Sequence, residues 1–275
     1  MRKKSEPTQV LSLEIEDKSQ RAVQSVEVGG RLLLALADSG SALSLKDLAA
    51  RAEMTPSRAH PYLVSYGRLG LIEQDSSGRY DLGPAALRVG LASLQRLEPM
   101  TVAEPVIRQL AAQTGHAIAI AVWGNFGPTV VRLIEAQQPL HVSLRIGSVL
   151  SLFDTATGRA FASVLPQERL LQAIAGPLGE AMPQEKWQQR QPEIQEIVQE
   201  ARRHGVSRAI SNPIPGVNAF SAPVFDLEGN PVMVITMTNH ENRLPAAWKN
   251  EAVSMLAEAV KELTLRLGGQ QPAQA

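Results

Sequence analysis

Between Ser25 and Gly83 the chain carries helix-start and helix-stop signals at a spacing that leaves few architectures open. Ser25 can cap a helix, Glu27 suits its first turn, and Val28, Leu32, Ala35 and Leu36 recur at helical spacing. Asp38–Ser41 breaks that pattern. Ser44, with Asp47 three residues on, has capping-box spacing, and Leu45, Leu48, Ala49 and Ala52 give the short helix after it one apolar face. Thr55-Pro56 starts a third helix, an N-cap with proline at the first helical position. That helix runs through Ala59, Tyr62, Leu63, Tyr66 and Leu69 and stops at Gly70. Residues 71–75 and 79–82 then flank Ser76–Gly78 as a hairpin. Two short helices across a tight turn, a longer helix before them and a hairpin behind make a winged helix-turn-helix.

A DNA reader of this kind must work through a local patch, because Lys+Arg and Asp+Glu each total 27 and the net charge is zero. With no cysteine, thiolate nucleophiles, disulfides, Cys-ligated zinc and thiol redox sensing are excluded. The five histidines show no paired metal-ligand spacing. A Gly-x-Ser-x-Gly elbow and a phosphate-binding glycine loop are also missing, so an enzyme is not expected, nor a cofactor. No apolar run reaches the roughly 20 residues of a membrane span, and the start lacks a signal-peptide core, which gives a cytoplasmic expectation by elimination.

The 275 residues divide further along the chain. Residues 1–22 are polar and form an N-terminal arm, and 23–83 the winged domain. Residues 84–99 form a linker helix with Leu87, Leu91 and Leu94 on one stripe and Ala86, Gly90, Ser93 and Leu97 on another. Two apolar faces suit contact with a partner subunit, although packing within one chain accounts for them equally. Residues 100–268 alternate helix and strand. Ile118, Ile120 and Val122 alternate with Ala117, Ala119 and Ala121, so that strand has one bulky and one small face. Strands are expected at 129–134, 140–146, 217–226 and 231–239, and helices at 101–113, 157–165, 167–175, 192–204 and 245–267; 269–275 is a tail. The fold class is α+β with a largely antiparallel sheet.

Leu45–Ala52, Pro56–His60, Leu69–Glu73 and Gly78–Gly83, with Asp154–Ala162 and Gly216–Asp226 in the second domain, resemble the isocitrate-lyase-regulator (IclR) family of transcription factors over roughly residues 23–268. The resemblance implies a winged helix that dimerises on a partly palindromic operator and a GAF/PAS-like effector-binding domain joined to it by the linker helix. It also implies a homodimer or dimer of dimers and an effector that is a small organic acid, aromatic acids included. Four positions depart from the pattern: Glu53 stands at a turn that usually holds Gly, Pro61 where relatives usually carry Arg, Arg159 in place of a lysine, and Arg208 in a segment where relatives can carry Asp.

In a helix-turn-helix the start of the second helix meets base edges. Here that is Ser57, Arg58 and His60, with Thr55 near the backbone. The Arg58 fork can bond guanine O6 and N7 together, and the resemblance also places a His at position 60. Arg68 and Arg79 suit phosphates. In the second domain, Thr155–Gly158 are small residues before a helix, so free N–H groups can face a bound anion. Thr236 and Thr238 project from one sheet face. Carried over by position, the family's pocket comprises Leu150, Leu152, Ala156, Thr157, Gly158, Ala219, Thr236 and Thr238. The plainer readings are a solvated face for the arginines and close helix–sheet packing for the small residues. A constitutive DNA-binding protein whose C-terminal domain only oligomerises is the alternative function.

Overall fold

A computed structural model describes residues 23–138, 140, 142, 144–175 and 184–271. The arm expected at 1–22 and the last four residues of the expected tail lie outside it. The chain divides into two compact units between Arg96 and Leu97.

In the first unit α1 (Gln24–Ala37), α2 (Leu45–Arg51) and α3 (Pro56–Arg68) surround a core of Leu32, Leu36, Leu48, Ala59, Leu63 and Ile72. Helix α1 begins two residues earlier than its sequence suggests. Val23 is the N-cap, without a side-chain bond, and Ser25 lies inside the first turn. At α2 the capping signal is realised: Ser44 Oγ accepts from the Asp47 N–H at 3.2 Å and donates to the Asp47 carboxylate at 2.7 Å. The turn between α2 and α3 closes by two reversed bonds, Met54 N–H to Ala49 O at 2.9 Å and Glu53 N–H to Ala50 O at 3.2 Å. That is a Schellman stop, which needs a left-handed residue, and Glu53 supplies it at φ 55°. The glycine expected there is absent and the turn keeps its shape under strain. Pro61 leaves α3 unbroken from Pro56 to Arg68. It removes the N–H that would bond the Ser57 carbonyl.

Strands β1 (Ile72–Gln74) and β2 (Tyr80–Leu82) pair antiparallel, and Leu43 bridges to Tyr80 beside them. Three donors close the wing tip on Asp75 Oδ1: Ser77 N–H, Ser77 Oγ and Arg79 N–H, at 2.7–2.9 Å. Helix α4 (Pro84–Gln95) ends short of the linker span expected over 84–99 and leaves Leu87, Val89 and Leu91 exposed. The Leu94 side chain, assigned to one stripe of that helix, is not among those described.

The second unit opens with α5 (Pro99–Thr114), followed by β3 (Ala117–Gly124) and β4 (Gly127–Ile134). Then come α6 (Ala156–Val164), α7 (Gln167–Ala175), α8 (Gln184–His204), β5 (Ser207–Ile210), β6 (Val217–Phe225), β7 (Pro231–His240) and α9 (Glu251–Arg266). The five strands form one antiparallel sheet in the order β4-β3-β7-β6-β5. Ile118, Ile120, Phe220, Met233, Ile235 and Met237 bury one face in a core shared with α5 and α9. The small-residue face turns to α6.

Three expectations are corrected. The alternation at 140–146 is not a strand: among its described residues none is paired, and only Val149 bridges to Thr129. Helix α8 begins well before Pro192, which lies exposed inside it. Helix α9 starts at Glu251, not 245, because Asn250 caps it, Oδ1 accepting from Val253 N–H at 2.9 Å.

Glu53 supports a testable expectation. Its ion pair with Arg31 is long, 4.0 Å, and solvent-exposed, so it contributes little. Relief of the left-handed strain dominates, and Glu53→Gly should stabilise the first unit by about 0.5–1 kcal/mol. Urea denaturation followed by circular dichroism measures this; an unchanged or lowered midpoint rules out strain at that turn.

Candidate functional site

Helix α3 is sorted by its own periodicity. Ala59 and Leu63 point into the core, which turns Ser57, Arg58, His60, Pro61, Val64 and Arg68 outward. The helix contains no acidic residue, so its exposed face is locally positive in a chain of zero net charge. Arg58 and Arg68 make no hydrogen bond or ion pair with any described residue. Thr55 Oγ1 and Ser57 Oγ lie 3.1 Å apart at the N-terminus, where the backbone dipole is positive. Arg79 is partly engaged, its Nη1 donating to Ala42 O at 3.3 Å.

In the second unit the sheet register sets the small face in rows. Leu133, Ala119, Thr236, Ser221 and Ser207 stand side by side across all five strands; the next row is Ala117, Thr238, Ala219 and Ala209. Helix α6 lies over the first row. Thr236 Oγ1 bonds both Thr157 Oγ1 at 2.7 Å and Ser221 Oγ at 2.8 Å. Ser207 Oγ donates to Ala156 O at 2.6 Å and, more weakly, to Ser221 O at 3.2 Å. All four hydroxyls are buried. Gly158 is small for a packing reason: a methyl group there would collide with the Ser151 carbonyl oxygen. Its N–H bonds Thr155 Oγ1 at 3.0 Å. The Ala156 and Thr157 N–H groups have no acceptor among the described residues, and both residues are buried.

On the second row Ala209 is buried, but Ala117, Ala219 and Thr238 are only half-buried. Ala117, Thr238 and Leu133 floor a cavity of about 270 Å³ there. Leu140, Val142 and Leu144 roof it, and Glu135, Ala136 and Gln138 complete the lining. Of the pocket residues expected from the sequence, Thr238 lines this cavity and Ala219 pairs with it on the same face. Ala156, Thr157 and Thr236 gather under the start of α6. Leu152 is instead buried with Phe153, Ala162 and Ile194, and Leu150 is held at the β4 edge by a 2.8 Å bond to Pro128 O. The roof escaped sequence reasoning because its alternating apolar residues mimic a strand.

Two arginines brace this region. Arg159 donates from Nε to Phe153 O at 2.7 Å and from Nη1 to Arg208 O at 2.8 Å, tying α6 to β5. Burial pulls its guanidinium below the ordinary arginine value, against Asp154, Glu193 and Glu200 nearby. Burial pushes the Asp154 carboxyl up, but hydrogen bonds from Ser151 and Arg190 outweigh it and hold the group below the usual carboxylate range. Arg208 does not serve the small face. Its β5 neighbours Ser207 and Ala209 point there, and its own side chain goes to the opposite side, to Glu200 at 3.1 Å, Ala246 O at 2.7 Å and the Trp248 ring at 4.1 Å.

A winged helix-turn-helix with a positive recognition face, followed by a unit with its own cavity, defines the class of DNA-binding transcriptional regulators. Family models agree with that division: the IclR helix-turn-helix domain matches 25–76, and the bacterial transcriptional regulator IclR C-terminal domain matches 91–265. The chain belongs to the IclR family. It is 24% identical to the transcriptional repressor IclR of Escherichia coli over 250 residues, 90% of this chain and 91% of that one. The crystal structure of Pseudomonas aeruginosa HmgR superposes with a TM-score of 0.79 at 32% identity, covering 91% of this chain and all of that one. An IclR homologue from Microbacterium hydrocarbonoxydans, complexed with 4-hydroxybenzoate, shares the fold at a TM-score of 0.51 and 17% identity, over 88% and 98% of the two chains. No helix among the described residues is long and apolar enough to cross a membrane.

The hydroxyl cluster yields a prediction. Thr236→Val keeps the shape but strands Thr157 Oγ1 and Ser221 Oγ in a dry interface, at a cost of about 1–3 kcal/mol. Chemical denaturation of the variant should show it; a loss of a few tenths would mean that water reaches the cluster.

Proposed function

We propose that this regulator binds operator DNA through α3 and changes its DNA affinity when a small organic acid, aromatic acids included, occupies the small-residue face of the second unit. In this reading α3 enters the major groove with Arg58 forked onto a guanine and Ser57 and His60 beside it. Thr55 and Arg68 hold phosphates, and Arg79 reaches one if it leaves Ala42 O. The carrying observation for the effector is a cavity on the small face, lined by Thr238, one row from the Thr157–Thr236 bond that seats the start of α6 with its unbonded Ala156 and Thr157 N–H groups. A chamber of mixed polar and apolar lining on the sheet face that carries a helix N-terminus suits a carboxylate with an apolar body. In this reading Thr238, Thr236 and the start of α6, Ala156–Gly158, supply its polar side next to Ala219, while Leu150 and Leu152 stand outside the lining. The 4-hydroxybenzoate bound by a relative of the same fold supports this ligand class.

The working form in this reading is a homodimer or dimer of dimers. Exposed apolar side chains on α1 (Val26, 67%; Leu34, 57%) and α4 (Leu87, 64%; Leu91, 49%) suit burial against a partner subunit. Effector binding then shifts the balance between quaternary states of different DNA affinity. One observation favours the rival reading, a constitutive binder whose second unit only oligomerises: Thr157 and Thr236 already satisfy each other.

Binding to the promoter regions flanking its own gene, at two salt concentrations, tests both. Arg58→Ala should weaken specific binding by about 1–3 kcal/mol, and Arg68→Ala should weaken all sequences alike and reduce the salt slope by about one. Aromatic monoacids should raise the thermal midpoint and alter the DNA affinity. Specific DNA binding that no acid alters, with no thermal shift, establishes the constitutive reading instead.

A further inference from the structure

If the cavity is the effector site, the asymmetry of charge along it bears on which acids it takes. On β7 the lining residue Thr238 lies two residues beyond Thr236, which Thr157 bonds at the positive N-terminal pole of α6. Away from it, Glu135 and Gln138 line the wall and are solvent-exposed, so they stand at the mouth. Glu135 is the one ionisable side chain among the described lining residues. It forms no ion pair and no side-chain hydrogen bond with any described residue. Its neighbour Gln137 is occupied elsewhere, donating to Ala112 O at 3.2 Å.

The register sets the spacing. Leu133 pairs with Ala119, so Glu135, two residues on, falls level with Ala117 and Thr238. Two strand spacings separate it from β7, about 10 Å. A cavity of about 270 Å³ holds a ligand of one six-membered ring with a substituent at each end. Ala117, Leu133, Leu140, Val142, Leu144 and Thr238 supply the side chains between β7 and the mouth.

We propose that Glu135, with Gln138, makes this a site for monoacids whose far end donates a hydrogen bond or carries a positive charge, and that it rejects diacids. A hydroxyl or ammonium group opposite the carboxylate gains Glu135 as an acceptor. A second carboxylate there meets the like charge of Glu135 at the mouth, beside the protein's low-dielectric wall, where the repulsion is stronger than in open water. Glu135 is therefore a specificity-determining residue, and its substitution changes the ranking of ligands more than the stability of the fold.

Calorimetric titration of the full chain with benzoate, 4-hydroxybenzoate, 4-(aminomethyl)benzoate, terephthalate and benzylamine tests this on wild type, Glu135→Gln and Glu135→Lys. Wild type should bind the hydroxy and aminomethyl acids at least tenfold more tightly than terephthalate. Glu135→Gln should narrow that gap, and Glu135→Lys should invert it, with thermal midpoints unchanged because the side chain is exposed. The same ranking in wild type and Glu135→Lys overturns the proposal. Benzylamine separates the roles of the two ends of the cavity. If it binds wild type but not Glu135→Lys while no acid binds at all, selection by Glu135 stands and the acid reading of the α6 end fails. No heat from any of the five probes removes the cavity as the effector site, and selection by Glu135 with it.

Discussion

Helix α6 approaches the sheet so closely that the fit between them governs the second unit. The sheet allows it by presenting alanine, serine and threonine on that side, and Gly158 leaves room for the Ser151–Leu152 backbone beside the helix. Close approach buries hydroxyls, and a buried hydroxyl without a partner is costly. Thr157, Thr236, Ser221 and Ser207 resolve this by bonding one another and the Ala156 carbonyl. Arg159 adds bonds to two carbonyls, one before the helix and one on β5. The start of α6 is thereby fixed in place, and its first two N–H groups have no acceptor among the described residues.

The first unit is organised differently. It has too few residues for a large core, so much of its definition comes from how its helices start and stop. The Ser44–Asp47 cap and the left-handed Glu53 hold α2 and α3 at a fixed angle, and Ala59 and Leu63 then set the rotation of α3. That rotation is what concentrates Arg58, His60 and Arg68 on one exposed face, a local positive surface that the chain's zero net charge conceals.

These two kinds of organisation explain what could be read from the sequence. Caps and stops are local chemistry, so the order of helices, turn and wing was visible at Ser44, Thr55-Pro56, Gly70 and Gly78. The bulky and small faces of β3 were visible too, since a strand alternates with period two. The cavity was not, because its walls meet only through the fold. Leu140, Val142 and Leu144 alternate as a strand would, yet what they cover is a chamber, not a neighbouring strand. Strand β5 is four residues long, too short for a period to emerge. Its register decides that Arg208 leaves the small face for Trp248, and no spacing within the segment announces this.

The division of the cavity between floor and roof has a consequence for how such a protein can change over time. The floor belongs to the sheet, where Thr238 pairs with both Ala117 and Ala219, one row from the Thr236 that holds α6. The roof and mouth lie in the stretch from Glu135 to Leu144, whose described residues stand outside the sheet and outside any helix. Substitutions in that stretch alter the shape and charge of the chamber while the framework that holds α6 stays intact. New chemical sensitivity can therefore be acquired one residue at a time, without passing through unfolded intermediates.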